Sequence, residues 1–226
     1  MWQRSFEEHG FAIIPNVLGG EDISRLSRDL AEAQLRRSRA GVRHALRNPA
    51  VARVAQDSRL LRIARGVLGS EAFPFRATLF DKSHNSNWLV VWHQDTALPL
   101  RNKREAQGWG PWSVKDGVIY AHAPADALSQ VVALRVHLDD STEQNGPLRV
   151  LPATHTLGVL TDDEIHQLST QVPAVDCVVQ RGGVVAIRPL IVHGSSKSQS
   201  EHSRRVLHIE YAASEFTADG LHVAVT

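Results

Sequence analysis

Apolar residues recur at helical spacing in the first third of the chain. Within Glu21–Arg39 they include Ile23, Leu26, Leu30 and Ala33, with mostly polar residues between them. Steps of three and four residues place such side chains on one face of a helix. We therefore predict an amphipathic helix over Glu21–Arg39 that buries this face.

Capping signals delimit a second helical region. Asn48 followed by Pro49 is typical of an N-cap with proline at the first helical position. The helical pattern then continues to Leu68, with a restart at Asp57, and Gly69 is a suitable terminator. The first third of the chain is thus predicted to be largely helical.

The pattern changes after residue 72, where short runs rich in β-branched residues alternate with turn signals such as Asn145-Gly146 and Gly182-Gly183. The predicted strands, after a short extended segment at Gly10–Val17, are Phe75–Phe80, Trp88–His93, Val118–Ala121, Val131–Leu138, Leu148–Leu151, Val175–Val179, Val184–Val192, Val206–Tyr211 and Leu221–Val225. Many short strands without alternating helices favour a sandwich or jelly roll. We predict a mostly β fold with flanking helices, in which a jelly roll carries an N-terminal helical elaboration.

Two segments interrupt the predicted strands. Thr161-Asp-Asp-Glu164 has the form of a capping box and predicts a short helix over Glu164–Ser169. Arg101–Asp116, which contains two glycines and Pro111, is predicted to be a long loop, and such loops often serve as lids or binding loops. We expect one domain over residues 1–226, with residues 1–70 as helical support and residues 72–226 as the jelly-roll core.

Composition narrows the class of protein. The chain has 226 residues, of which 42% are hydrophobic and 22% are charged, as in an ordinary globular protein. The formal net charge of +1 gives no indication of attraction to nucleic acid or to an anionic membrane. We interpret the cluster of Arg36, Arg37 and Arg39 as a solvated helix face. The expected partner is a small-molecule substrate, and the oligomeric state stays open.

The number of cysteines and the N-terminal segment indicate in which cellular compartment the protein is expected. Cys177 is the single cysteine, so no intramolecular disulfide can form, which fits a reducing environment. Residues 1–10 include Glu7 and Glu8 and lack the apolar region of a signal peptide. No apolar run reaches the ~18 residues that a membrane-spanning helix needs. We therefore expect a cytoplasmic protein.

A candidate metal-binding pair follows one predicted strand. His93 and Asp95 are two residues apart, and residues with this spacing project to the same face of a strand. A third ligand would complete the facial set of two histidines and one carboxylate, which leaves positions open on a non-haem iron. His-x-Asp by itself is a weak signal in a chain with 12 histidines.

Two further residues, when each is considered alone, fit an ordinary structural role as well as a functional one. His193 ends an apolar run and precedes Gly194 and Ser195, so it either faces a cavity or is a surface histidine at a turn. Arg204 begins a later strand-like run and either pairs with a carboxylate through its planar fork or is a solvated charge.

Together these residues resemble the phytanoyl-CoA dioxygenase (PhyH) family of Fe(II)/2-oxoglutarate-dependent oxygenases. The resemblance spans nearly the whole chain and rests on the segments Glu8–Pro15, Trp92–Asp95, Leu138–Pro152, His193–Ser195 and Arg204–Tyr211. Its most specific parts are Asn145-Gly146-Pro-Leu and the eleven-residue step from His193 to Arg204. The resemblance implies a double-stranded β-helix, which is a cupin-like jelly roll.

The resemblance also implies roles for individual residues. His93, Asp95 and His193 are expected to bind Fe(II). Arg204 is expected to bind the far carboxylate of the co-substrate 2-oxoglutarate, with help from the hydroxyl of Ser195. Arg205 is the neighbouring competitor of Arg204, and strand alternation alone does not choose between the two.

Three more residues are considered as co-substrate contacts. Gln94 lies between two candidate ligands, and its family counterpart is close to the co-substrate, although regular alternation points it the opposite way. Arg135 falls where some family members place an aromatic residue that lines the co-substrate, and it shares with His137 a strand face that either lines the site or faces solvent. Lys82 either hydrogen-bonds the co-substrate or is solvated at a strand end.

The implied reaction is the oxidation of a small organic metabolite, by default its hydroxylation, with Fe(II), O2 and the conversion of 2-oxoglutarate to succinate and CO2. Trp88, Trp109 and Trp112 either offer aromatic surface to this substrate or pack in the core. The alternative is a metal-binding cupin-type protein that does not use 2-oxoglutarate or is not catalytic.

Overall fold

The structure is a computed structural model that describes residues 2–33, 41–83 and 86–226. The α-helices in these ranges are Trp2–His9 (α1), Gly20–Glu32 (α2), Pro49–Ala55 (α3), Ser58–Leu68 (α4), Ala125–Ser129 (α5) and Asp162–Gln171 (α6). Short 3-10 helices cover Ala45–Arg47, Glu143–Asn145 and Thr154–Leu157. The strands are Phe11–Ile14 (β1), Gly41–Val42 (β2), Phe73–Lys82 (β3), Val90–His93 (β4), Ala97–Leu100 (β5), Trp112–Lys115 (β6), Val118–His122 (β7), Val131–His137 (β8), Leu148–Val150 (β9), Val175–Cys177 (β10), Val184–Ile187 (β11), His193–Ser195 (β12) and Arg204–Ala212 (β13).

Two antiparallel sheets form a jelly roll. The larger sheet has the order β1-β11-β8-β13-β3-β2, and the smaller sheet has the order β10-β9-β12-β4. They pack face to face through a shared apolar cluster in which Val185 and Ile187 of the larger sheet meet Leu148 and Val150 of the smaller one. A third sheet, β5-β7-β6, packs beside them. The predicted mostly β jelly roll is confirmed.

The helices cover one face of the larger sheet. Alternate residues of its central strands, among them Leu134 of β8 and Leu207 and Ile209 of β13, join the helical residues Ile23 and Leu60 in one buried cluster. Because successive side chains of a strand point to opposite faces, the intervening residues of β3, β8 and β13 point toward the smaller sheet. The helical layer therefore leaves one inner face free to build a site.

Several local predictions are confirmed by capping contacts. The side chain of Asn48 accepts a hydrogen bond from the Ala50 backbone N–H at 2.9 Å at the start of α3. Asp57 caps α4 in the same manner, and Gly69 follows its last residue with a positive φ. Thr161 forms the predicted capping box at the start of α6.

Helix α2 is shorter than predicted within the described ranges, since it ends at Glu32 and Ala33 serves as its C-cap. The remainder of the predicted helix, including Arg36, Arg37 and Arg39, lies outside the described residues.

One strand prediction is wrong, and one strand and one loop prediction are wrong in part. Leu221–Val225 forms isolated bridges instead of a strand, one of them between Val223 and Leu100. The run Val184–Val192 splits, because β11 ends at Ile187 before Pro189, which has no backbone N–H to donate to a ladder. The chain then passes into the smaller sheet as β12. The predicted loop Arg101–Asp116 contains β6, which pairs with β7.

Within the described part of the chain, no helix combines the length and apolar character that spanning a membrane requires.

Candidate metal centre

Two neighbouring strands of the smaller sheet bring together the candidate ligands. Strands β4 and β12 are antiparallel, with His93 opposite His193, and Asp95 follows β4. The Nε2 atom of His93 lies 3.7 Å from Asp95 Oδ1, and the Nε2 atom of His193 lies 3.5 Å from Asp95 Oδ2. The three prospective ligand atoms all lie within 4.8 Å of one another. One cation between them would contact all three side chains.

Backbone carbonyls orient both imidazole rings. Nδ1 of His93 lies 2.8 Å from the Val91 carbonyl oxygen, and Nδ1 of His193 lies 2.9 Å from the Ile191 carbonyl oxygen. Because a carbonyl oxygen only accepts, each Nδ1 carries the hydrogen and donates it. Each Nε2 is then left with a lone pair directed toward Asp95, as in histidines that bind metal.

The protonation states suit a divalent cation. Burial lowers the pKa of His193 to about 4, although the charge of Asp95 acts in the opposite direction. Burial acts to raise the pKa of the Asp95 carboxyl, but His193, His93 and the Arg76 guanidinium hold this pKa well below its usual range. The two imidazoles with an ionised Asp95 carboxylate form a donor set that fits non-haem Fe(II).

The candidate ligands open into a cavity of about 470 Å³ between the two sheets. Its wall on the larger sheet is the inner face of β3 and β13, and Arg135 of β8 also contributes. Its mouth is apolar, with Trp88, Leu89 and Val91 among the lining residues. The cavity therefore has the mixed lining that small-ligand sites usually show.

One end of the cavity is cationic. Lys82 lies opposite Arg204 in the sheet, and its Nζ donates to Ser195 Oγ at 2.6 Å and to the Ser196 carbonyl at 2.5 Å. Ser195 Oγ in turn donates to the Gly146 carbonyl at 3.0 Å. The predicted co-substrate residues Lys82, Ser195 and Arg204 are thus brought together.

The cations at this end lack anionic partners among the described residues. Arg204 Nε donates to the Asn145 carbonyl at 3.2 Å, while its buried Nη1 has no hydrogen-bond partner there. Arg135 is also buried, with Nε unpaired and Nη1 3.1 Å from His208 Nδ1. Desolvation and neighbouring cations lower the pKa of Lys82 to about 7 and that of Arg204 to about 10. Such a group of buried cations would be stabilised by an anionic ligand.

Arg205 lies on the opposite face of β13 from the cavity. Its Nε and Nη2 donate to the two Asp139 carboxylate oxygens at 2.8 and 2.7 Å. Of the two neighbouring arginines, Arg204 is the one that lines the cavity.

Two other residues do not reach the cavity lining. Gln94 donates through Nε2 to the Leu190 carbonyl at 2.7 Å and the Gly158 carbonyl at 2.9 Å, and its Oε1 accepts from the Leu160 N–H at 2.8 Å. Its side-chain amide therefore hydrogen-bonds the neighbouring backbone. His137 is fully buried, and neither ring nitrogen has a partner in the described residues, so the solvent-facing alternative is wrong for this residue.

The tryptophans separate into two environments. Trp88 lines the cavity mouth, with Lys82 Nζ 5.5 Å from its ring centroid. Trp109 is buried and donates to Asp219 at 2.9 Å, and it packs in the apolar cluster of the third sheet together with Trp112.

A buried ion pair at the other end of the cavity was not anticipated. Arg76 Nη2 donates to Glu210 Oε1 at 2.6 Å, Arg76 Nε donates to Glu210 Oε2, and Arg76 Nη1 donates to the Ala97 carbonyl at 2.8 Å. Burial raises the pKa of Glu210, and Arg76 opposes part of this effect. The signal was present in the sequence as two-residue alternation, which places Glu210 on the same strand face as Arg204.

Comparisons with known proteins show which relatives this chain resembles. The chain is 26% identical over 186 residues to L-proline trans-4-hydroxylase of Streptomyces griseoviridis, which covers 71% of this chain and 62% of that protein. It is 27% identical over 169 residues to ectoine dioxygenase of Bordetella bronchiseptica, which covers 67% of this chain and 48% of that protein. The chain thus spans about half to three-fifths of the length of these relatives.

A solved structure shares the fold. HygX from Streptomyces hygroscopicus, with nickel, 2-oxoglutarate and hygromycin B bound, superposes with a TM-score of 0.70 at 19% identity, over 96% of this chain and 88% of that one. The sequence model of the phytanoyl-CoA dioxygenase family matches residues 6–206. The chain belongs to this family.

Gly146 lies in close contact with the residues of the cationic end, so a substitution at Gly146 tests the packing of this part of the cavity. Its φ is +68°, and an added Cβ would lie 2.4 Å from the Ser196 carbonyl oxygen and 3.2 Å from Lys82 Nζ. We expect Gly146→Ala to lower the free energy of unfolding by more than the about 1–2 kcal/mol that a left-handed alanine costs. Urea unfolding measures the change.

Gly117→Ala is the matched control, because Gly117 has a φ of +79° and nothing within 4 Å of an added Cβ. Equal losses of stability in the two variants would show that the close approach at Gly146 contributes nothing.

Proposed function

We propose that this chain is an Fe(II)/2-oxoglutarate-dependent dioxygenase that oxidises, and by default hydroxylates, a small organic molecule. The single observation that carries the proposal is the arrangement of one cavity, in which the His93, Asp95 and His193 ligand set faces a buried group of cations that have no carboxylate partner within residues 2–33, 41–83 and 86–226. Membership of the phytanoyl-CoA dioxygenase family and the named activities of the relatives support it.

In this proposal His93, Asp95 and His193 hold Fe(II). Their two imidazole nitrogens and one carboxylate oxygen would hold the ion, and a donor set of this kind leaves positions for the co-substrate and O2. The bound iron supplies the activation of O2, coupled to conversion of 2-oxoglutarate to succinate and CO2. The carbonyls of Val91 and Ile191 keep the imidazole rings in the orientation that this role needs.

The cationic end holds 2-oxoglutarate. Arg204 and Lys82 bind its far carboxylate, and the Ser195 hydroxyl assists them. This hydroxyl is hydrogen-bonded to Lys82 Nζ and to the Gly146 carbonyl. Arg135 lines the same cavity, and its charge affects Lys82, Arg204 and His193. In this proposal it also contacts the co-substrate. A role for Gln94 at the co-substrate is not part of this proposal.

The function is tested by loading the chain with Fe(II) and measuring O2 consumption and succinate formation from 2-oxoglutarate. Equal amounts of both, which rise when a substrate is added, support the proposal. A chain that binds metal but neither binds nor consumes 2-oxoglutarate would be a metal-binding protein of another class.

Removal of a metal ligand tests the ion site directly. We expect His193→Ala to weaken Ni(II) binding by more than the about 10- to 100-fold that loss of an outer-shell contact costs, because a direct ligand is lost. Equilibrium dialysis measures the affinity. His202→Ala, which removes an exposed histidine, is the control and should bind Ni(II) as the unmodified chain does.

The neighbouring arginines give a paired test. Arg204→Ala should weaken 2-oxoglutarate binding to the Ni(II)-loaded chain by about 10- to 100-fold, since a charge-assisted bond is lost. Arg205→Ala should change this affinity by less than about twofold, because the Arg205 fork binds Asp139. Isothermal titration calorimetry compares the two, and the reverse order of effects would contradict the assignment of Arg204.

The lowered pKa of Lys82 predicts a pH dependence. Its amine is charged below about pH 7 and becomes neutral as pH rises through this value. The dissociation constant for 2-oxoglutarate should therefore increase between about pH 6 and pH 8. Lys82→Met should remove this part of the dependence, whereas Lys103→Met, at an exposed lysine, should keep it. Identical pH profiles for Lys82→Met and the unmodified chain would exclude Lys82 from the site.

A further inference from the structure

The inner face of the larger sheet continues past the candidate metal ligands to a second polar group. Strand pairing places Glu210 opposite Arg76 and His208 opposite Thr78. These four residues, here called the Glu210 cluster, all line the cavity. The proposed binding of 2-oxoglutarate leaves the whole cluster without a role.

The Arg76–Glu210 pair of the cluster is too distant from Arg204 to bind the same carboxylate. Glu210 and Arg76 lie six residues along their strands from Arg204 and Lys82, which corresponds to about 20 Å at ~3.3 Å per residue. A five-carbon dicarboxylate held at Arg204 is much shorter than this distance. Arg76 Nη1 donates to the carbonyl of Ala97, two residues after Asp95, so the ion pair lies on the metal side of the cavity. The metal ligands therefore stand between two separate subsites.

The polar groups of the cluster are fixed and electrically balanced. Three nitrogens of Arg76 are engaged by Glu210 and the Ala97 carbonyl. Each Glu210 oxygen accepts from Arg76 and keeps a further lone pair. Nδ1 of His208 faces an Arg135 donor, so its hydrogen lies on Nε2, 3.7 Å from Glu210 Oε2. The cluster thus offers acceptors to a ligand while its two charges cancel.

We propose that the Glu210 cluster is the subsite for the organic substrate, which is a small neutral or zwitterionic molecule with an N–H or O–H group that donates to Glu210. This inference rests on the proposed function, in which 2-oxoglutarate occupies the opposite, cationic end of the cavity. An anion without a donor is excluded, because Arg76 is already occupied and the Glu210 oxygens would repel it.

A different role for the ion pair would be to brace the metal site. The Arg76 bond to the Ala97 carbonyl holds the chain two residues after Asp95. A brace would affect metal affinity first, whereas a substrate subsite affects the affinity for the organic molecule. Both affinities therefore have to be measured.

The experiment uses the full chain loaded with Ni(II) and 2-oxoglutarate, so that binding is measured without turnover. Binding of 2-oxoglutarate itself is titrated first, and its failure would reject the proposed function independently of the subsite. The probes are cyclopentane, cyclohexane and benzene skeletons, each as the alcohol, the α-amino acid, the methyl ether and the carboxylate. Calorimetry should show binding of alcohols or amino acids at least about 10-fold tighter than binding of the matched ethers and carboxylates.

Variants connect this preference to Glu210. Glu210→Gln should weaken binding of the preferred probe by about 10- to 100-fold, and Glu210→Asp, which keeps the carboxylate, should restore part of it. Glu215→Gln, at a glutamate whose side chain is 60% exposed, is the matched control. Circular dichroism verifies that each variant is folded. If Glu210→Gln is unfolded, the order of probe affinities measured with the unmodified chain decides whether the Glu210 cluster is the substrate subsite.

Three results would overturn the subsite: carboxylates or ethers that bind as tightly as the donor-bearing probes, no binding of any donor-bearing probe, or a Glu210→Gln variant that loses Ni(II) affinity but keeps the probe preference. The last result would identify the ion pair as a brace.

Discussion

The two-residue alternation of the central strands is the constraint on which the fold and the site both depend. In β13, Leu207 and Ile209 pack against the helices, while Arg204, His208 and Glu210 face the opposite sheet. A shift of one residue would bury charges in the helical core and would fill the cavity with leucine and isoleucine. The apolar face therefore sets the register, and the register places the polar residues where ligands can reach them.

The site also requires that both sheets be packed together. The prospective metal ligands come from the smaller sheet, and the buried cations come from the larger one. Apolar contacts such as those of Val150 and Val185 hold the two sheets together, and the cavity lies between the same sheets. Removing one partner of the buried Arg76–Glu210 pair costs about 3–5 kcal/mol, so the cavity wall is coupled to the stability of the sheet.

Local signals predicted much of the fold. Side-chain caps at Asn48, Asp57 and Thr161 act within a few residues, so sequence alone was sufficient to indicate where α3, α4 and α6 begin. The strand break before Pro189 was missed because Val184–Val192 was taken as one apolar run, although Arg188 and Pro189 interrupt it. The failed strand at Leu221–Val225 had the right composition but lacks a continuous partner.

The site could be predicted only in part. Spacing indicated His93 and Asp95 as one pair, and the family resemblance added His193 and Arg204, which the structure brings to the same cavity. The Arg76–Glu210 pair links residues 134 positions apart, and only the sheet register makes them neighbours. Both imidazole rings are held by main-chain oxygens instead of by side chains. Substitution of neighbouring side chains therefore leaves the orientation of both metal-binding rings unchanged. Residues that line the cavity can change during evolution to accept a new substrate while the metal site is retained.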